Sequence, residues 1–127
     1  MSTALEMNPE EWRKFKPGRK IGTRVAQAKY LEERRAKALE LAKNASFLLR
    51  QRYGAKRVVV FGSLARTKAF SAWSDIDLAA WGIAPDKFFS AVAAVSGLSP
   101  DFKIDLVEPD TCREAIRNSI QMHGIEI

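Results

Sequence analysis

The chain of 127 residues is poor in the residues that build disulfides and zinc sites, with one cysteine, Cys112, and one histidine, His123. A single cysteine excludes an internal disulfide, and one cysteine with one histidine cannot form a Cys/His zinc cluster. No apolar run approaches the ~20 residues of a membrane-spanning helix, and the first residues carry no apolar signal-peptide segment. These absences predict a cytoplasmic protein with no membrane partner.

Positive charge is concentrated in the first half of the sequence. The formal net charge is +6, but residues 1–57 hold 15 Lys and Arg against 6 Asp and Glu, whereas residues 58–127 hold 6 against 9. A basic half of this kind can contact nucleic acid or an acidic protein surface, or form the solvated face of a helix. The charge alone does not choose among these.

The apolar pattern predicts a polar, basic N-terminal arm over residues 1–24, which contains Trp12 and Phe15, followed by one α/β domain over residues 25–127. Helical periodicity and short β-branched or alternating runs predict six elements in that domain. In chain order these are a helix over 25–53, strands over 57–61 and 75–81, a helix over 85–95, a strand over 102–107 and a helix over 110–123 capped by Asp110 or Thr111. The order αββαβα predicts a small mixed sheet with flanking helices.

Three aspartates lie on the second and third predicted strands. Asp75 and Asp77 are two residues apart, so their side chains project from one face of the sheet, and Asp105 has the parity to reach the same face. Adjacent carboxylates repel unless a cation lies between them, and oxygen ligands suit Mg²⁺. The three acids predict a site for two Mg²⁺ ions, roughly 3.5–4 Å apart, that hold the attacking and leaving oxygens of an in-line displacement. Taken alone, however, an Asp-x-Asp pair is more often a solvated strand end.

The turn after the first strand has the features of a phosphate-binding turn. Gly62 allows close backbone approach, while free N–H groups and the Ser63 hydroxyl can bind a phosphate. Arg66 either adds a charge-assisted hydrogen bond or is a surface arginine. Ser63 is a phosphate binder and not a nucleophile, because no histidine or lysine is positioned by the sequence to activate it. A phosphate-binding turn with a carboxylate metal site predicts transfer of a nucleotidyl or phosphoryl group.

These segments resemble a known superfamily. The stretch VVVFGSLAR at 58–66, then SDIDL at 74–78 and the later strand aspartate, is similar to the signature of polymerase-beta-type nucleotidyltransferases. More narrowly, it resembles the minimal nucleotidyltransferases encoded beside HEPN-domain proteins in prokaryotic toxin–antitoxin pairs. The resemblance covers about residues 38–127. It departs at Thr67, where members commonly have glycine, and in the more aromatic loop over 68–73.

The resemblance implies a polymerase-beta-like palm with its catalytic core over residues 57–107. It implies that Gly62 and Ser63 hold the triphosphate of ATP, that Asp75 and Asp77 bind both Mg²⁺ ions, and that Asp105 completes the site. It further implies AMP transfer to a hydroxyl, a tyrosine, of a cognate HEPN toxin. The chain would then be the antitoxin of a type VII-like pair, in a hetero-oligomer with that toxin.

Two alternatives belong to other classes of function. An antitoxin can neutralise its toxin by occlusion with little catalysis, and the basic first half can bind nucleic acid. Substitution of Asp75 and Asp77 distinguishes catalysis from occlusion. A binding titration against salt tests the nucleic-acid alternative, because phosphate contacts weaken steeply as salt rises.

Overall fold

The computed structural model describes residues 20–127. Helix α1 spans Lys20–Tyr53, so it begins five residues before the predicted start at residue 25. A single glycine such as Gly22 costs a helix only about 1 kcal/mol, which a long helix tolerates. The first 19 residues of the predicted arm, including Trp12 and Phe15, lie outside the described residues. Within 20–127, no helix combines the length and apolar character needed to cross a membrane.

Four strands form one mixed sheet. They are β1 (Arg57–Phe61), β2 (Ile76–Trp81), β3 (Ile104–Val107) and β4 (Ile125–Glu126). The spatial order is β3-β2-β1-β4, with β1 antiparallel to β2 and β4, and β2 parallel to β3. The predicted mixed α/β fold with flanking helices is confirmed. Strand β4 was not predicted, because two residues are too short to show an alternating pattern.

Two shorter helices complete the fold, α2 (Pro85–Ser96) and α3 (Glu114–His123). The prediction that the last helix starts at Asp110 or Thr111 is wrong. The amides of Thr111 and Cys112 both donate to the carbonyl of Glu108, and the Thr111 hydroxyl donates to the Glu108 side chain at 3.0 Å. These bonds form a turn before the helix, and the residue that precedes α3 is the extended Arg113.

The sheet separates a large core from a small one. Helices α1 and α2 cover one face. Of the apolar stripe predicted for α1, Ala38, Ala42, Ala45 and Leu49 are fully buried there, whereas Leu31 is only partly buried. The central members of this core are Ala38, Ala42, Ala45, Leu49, Val58, Val60, Ile76, Leu78, Val95 and Ile104. Helix α3 covers part of the other face, where the buried residues are Val59, Phe61, Ala79 and Ile120. The odd-numbered strand positions, which include Asp77 and Asp105, therefore face the thinly covered side of the sheet.

Gly124 lets α3 pack closely on β1, and this contact gives a test of the fold. A Cβ at Gly124 would overlap the Ile120 carbonyl oxygen and lie 2.6 Å from Val59 Cγ1. We expect Gly124→Ala to lower the free energy of unfolding by about 1–3 kcal/mol, measured by urea denaturation. Gly97→Ala is the control, since its Cβ would meet no described atom closer than 3.6 Å, and its effect should stay within about 0.5 kcal/mol. Equal effects would contradict the packing at Gly124.

Candidate active site

The site residues meet at one edge of the sheet because of how the strands run. Strand β1 ends where its antiparallel partner β2 begins, and β3 begins at the same edge because it is parallel to β2. Phe61 is paired with Asp77, and Asp77 is paired with Asp105. Strand pairing therefore places the two aspartates side by side on the thinly covered face.

The three predicted acids interact electrostatically. Burial, followed by the negative charges of Asp105 and Asp75, raises the pKa of Asp77 to about 6 from its ordinary 3.8, while Lys103 opposes this shift. Asp75 lies directly before β2, and Asp105 is partly buried on β3. The raised pKa reflects the partial burial of Asp77 and the repulsion between neighbouring carboxylates, and a bound cation would relieve that repulsion.

Lys103 supplies a positive charge at these acids that sequence reasoning missed. Its Nζ lies 3.8 Å from Asp105 Oδ1. The amide of Ile76 donates to the Lys103 carbonyl at 2.9 Å, which continues the β2–β3 pairing and places Lys103 opposite Asp75. The signal that could have found this lysine is its parity, two residues before Asp105.

The predicted phosphate-binding turn packs against Asp77. Residues Gly62–Ala65 form a single 3-10 turn, and Gly62 has φ +73°. A Cβ at Gly62 would overlap Asp77 Oδ2, so only glycine fits between the turn and this carboxylate. Ser63 is partly buried, and its carbonyl accepts from the Arg66 amide at 3.1 Å. The structure thus brings Gly62 directly against Asp77 and leaves the side chain of Arg66 exposed at the end of the turn.

Two arginines of α1, also missed, hold the loops on both sides of β2. Arg35 donates from Nη2 to the Leu64 carbonyl at 2.9 Å, inside the predicted phosphate-binding turn. Arg34 donates from Nη2 to the Asp101 carbonyl at 3.1 Å, and its guanidinium stacks 4.1 Å from the centre of the Phe102 ring. The signal for Arg34 is its place four residues before Ala38 on the buried stripe, where an exposed arginine is not expected.

The acids fit a divalent cation by their chemistry. All three donors are carboxylates, the hard oxygen ligands that Mg²⁺ prefers, and strand pairing aligns Asp77 with Asp105. Within residues 20–127, no three His, Cys, Asp or Glu side chains are already close enough together to hold a metal ion. The carboxylates that could hold a divalent cation are Asp77 and Asp105, which the strand register pairs, together with Asp75 directly before β2.

The fit of Gly62 against Asp77 can be tested with a glycine that has the same backbone conformation. Gly54 also has φ +73°, but a Cβ there would meet nothing within 4 Å. Both Gly62→Ala and Gly54→Ala should lower the free energy of unfolding by about 1–2 kcal/mol, because alanine is strained in the left-handed backbone conformation. Only Gly62→Ala should also abolish the rise in melting temperature on adding Mg²⁺, because it displaces the Asp77 carboxylate. A Mg²⁺ response retained in Gly62→Ala would disprove the link between this turn and the carboxylate.

The raised pKa of Asp77 gives a prediction for stability against pH. Because the carboxyl holds its proton more tightly in the folded state, its contribution to stability is full below pH 3.8 and is lost as the pH rises to about 6. Without metal, Asp77→Asn should therefore be more stable than the unsubstituted protein at pH 7.5, by on the order of 1 kcal/mol after solvent screening. The difference should disappear near pH 4. Urea denaturation in EDTA between pH 4 and pH 7.5 measures this difference in stability. A difference that stays the same at every pH would contradict burial and neighbouring carboxylates as the cause of the raised pKa of Asp77.

Comparison with known proteins identifies the family. Residues 43–126 match the family model of the nucleotidyltransferase domain. Among solved structures, a crystal structure of a toxin-antitoxin with AMP-PNP is similar in fold, with a TM-score of 0.52 and 19% identity over 65% of this chain and 69% of that chain. A search of curated proteins gives no significant match. The mixed sheet is consistent with the polymerase-beta-like fold, and the matched residues include the Gly62 turn and all three acids. The chain belongs to the nucleotidyltransferase domain family.

Proposed function

We propose that this protein is a Mg²⁺-dependent nucleotidyltransferase that transfers AMP from ATP to a tyrosine hydroxyl of a cognate HEPN toxin, and so acts as its antitoxin. The observation that carries the proposal is the alignment of Asp77 with Asp105 directly against Gly62, in a chain of the nucleotidyltransferase family. The similarity to a toxin-antitoxin structure with AMP-PNP supports the choice of an adenine nucleotide and a toxin partner.

The residues divide into a phosphate-binding part and a carboxylate part. The turn at Gly62 and Ser63 offers backbone N–H groups and a hydroxyl to the triphosphate. Asp75, Asp77 and Asp105 would hold the metal ions, and bound metal would supply neutralisation of the charge on the phosphates. In the reaction, the acceptor hydroxyl loses its proton to solvent and its oxygen bonds to the α-phosphorus. The bond between the α-phosphorus and the oxygen that bridges it to the β-phosphate breaks, and pyrophosphate leaves. Asp105, on the strand farther from the turn, orients the acceptor hydroxyl.

The arginines of α1 serve this reaction by positioning backbone. Arg35 fixes the carbonyl of Leu64, so the neighbouring N–H groups of the turn keep one direction. Arg34 fixes the loop from which β3 starts, and with it the position of Asp105. Catalysis of phosphoryl-type transfer depends mainly on positioning and electrostatic stabilisation, so loops held from a buried helix suit it.

A second candidate function is neutralisation of the toxin by occlusion. Two observations favour it: no three potential ligands converge within the described residues, and the ammonium of Lys103 already balances part of the charge of Asp105. An occluding antitoxin would need the fold and its surface but not the metal. The two functions therefore differ in whether removal of the carboxylates removes protection.

The deciding experiment incubates the purified protein with labelled ATP, Mg²⁺ and the product of the adjacent gene, and measures mass gain by one or more AMP groups. We expect Asp75→Asn/Asp77→Asn to reduce the rate of transfer by at least about 100-fold, because metal ligands and their support carry this chemistry. The matched control is Asp86→Asn/Asp110→Asn, which removes two exposed carboxylates elsewhere.

The outcomes separate the two functions. One outcome is that the control transfers AMP at the unsubstituted rate, while the Asp75/Asp77 variant loses both AMP transfer and neutralisation of the toxin. This outcome supports AMP transfer as the antitoxin activity. Protection that persists undiminished without transfer overturns that proposal in favour of occlusion.

A further inference from the structure

Helix α1 is much longer than the sheet on which it packs. Its 34 residues extend about 50 Å, whereas a strand as long as β2 extends about 20 Å. Along α1, Arg34 is the first buried side chain in the described range, and residues 24–29 are all exposed. Val25 is an apolar residue left 63% exposed. The N-terminal part of α1 is therefore a helix with an apolar side that the described residues do not cover.

A groove begins where this projecting part meets the body of the domain. Its volume is about 490 Å³, and it lies between Ala28, Leu31 and Leu39 of α1 and Thr67 and Phe70 of the loop before β2. The lining is mainly apolar. It continues the exposed side of α1 directly to the loop that connects the phosphate-binding turn with Asp75.

The groove is physically joined to the candidate active site. Arg35 lines the groove and donates to the Leu64 carbonyl in the phosphate-binding turn. Thr67 directly follows Arg66, at the end of that turn. A molecule seated in the groove would contact a residue that holds the turn, and it would lie next to the site where a group is transferred.

Charge indicates what kind of molecule fits. Residues 20–37 of α1 carry 6 Lys and Arg against 2 Glu. Exposed Lys29, Lys37 and Lys68 each directly follow a residue that lines the groove, which gives the groove basic flanks. Besides aliphatic side chains and the buried ring of Phe70, the groove is lined by Thr67 and by one residue of each charge, Glu32 and Arg35, so it offers no exposed aromatic ring on which a nucleic-acid base could stack. Apolar lining with basic flanks fits an amphipathic protein segment with acidic residues.

We propose that this groove, with the exposed side of α1 before it, is the docking site for an acidic amphipathic helix of the protein that the site modifies. The proposal rests on the proposed function for the identity of the partner. Docking there presents the acceptor next to the phosphate-binding turn, and the mode of recognition is a helix in an apolar groove.

The test uses two alanines of α1 that differ in where they point. Ala28 lines the groove, and Ala26 is equally exposed but lies about 200° around the helix. Ala28→Asp and Ala26→Asp make the same change in charge and helix propensity. Calorimetry with the product of the adjacent gene, without Mg²⁺ or ATP, should show at least about 10-fold weaker binding for Ala28→Asp and less than about 2-fold change for Ala26→Asp. Circular dichroism checks that both variants fold equally.

Each outcome bears on the proposal. Equal affinities of the two variants overturn it, as does failure of the unsubstituted protein to bind the gene product. Binding of a homopolymeric RNA that Ala28→Asp weakens, without binding of the gene product, assigns the groove to nucleic acid instead. Binding is measured without nucleotide, so it does not depend on catalysis. A loss of affinity for the gene product in Ala28→Asp alone therefore supports docking even if the unsubstituted protein transfers no AMP. In that case only the proposed catalysis fails.

Discussion

The pairing of β2 with β1 and β3 is the constraint on which the candidate site depends. It places Asp77 between Phe61 and Asp105 and at the same time against Gly62. Carboxylates brought together in this way repel one another, and the raised pKa of Asp77 expresses that cost. The buried apolar side of the same strands, packed on α1 and α2, stabilises the sheet enough to hold them there. The site is thus an unfavourable arrangement held by a favourable core.

Much of this arrangement follows from patterns that a sequence displays. Alternation fixed the faces of Asp77 and Asp105, and apolar periodicity indicated the side of α1 that packs on the sheet. The register between β2 and β3 is a different matter, because a shift of two residues would keep every side chain on its face and still separate the two acids. Register is set by contacts across the whole sheet, which local patterns do not contain.

Most of the features that sequence reasoning missed depend on contacts that apolar patterns and spacing do not show. Arg34 and Arg35 donate to carbonyls 67 and 29 residues away, at Asp101 and Leu64. Strand β4 forms because it pairs with the free edge of β1. Helix α3 starts later than predicted because the amides of the preceding turn donate to the carbonyl of Glu108. Each depends on a partner distant in sequence or on local hydrogen bonds that compete with a helix. Composition and spacing carry no record of such partners.

Helix α1 contacts the sheet, the loops beside the candidate site and the apolar groove. Its buried stripe supports the sheet, Arg34 and Arg35 hold the loops that frame β2, and its N-terminal side borders the apolar groove. One helix therefore touches the core, the predicted phosphate-binding turn and a surface that the described residues leave open. Because Arg35 belongs to both the groove and the turn, an occupant that repositions its guanidinium necessarily changes the hydrogen bond to Leu64. The groove and the turn at Gly62 therefore share one side chain that contacts both.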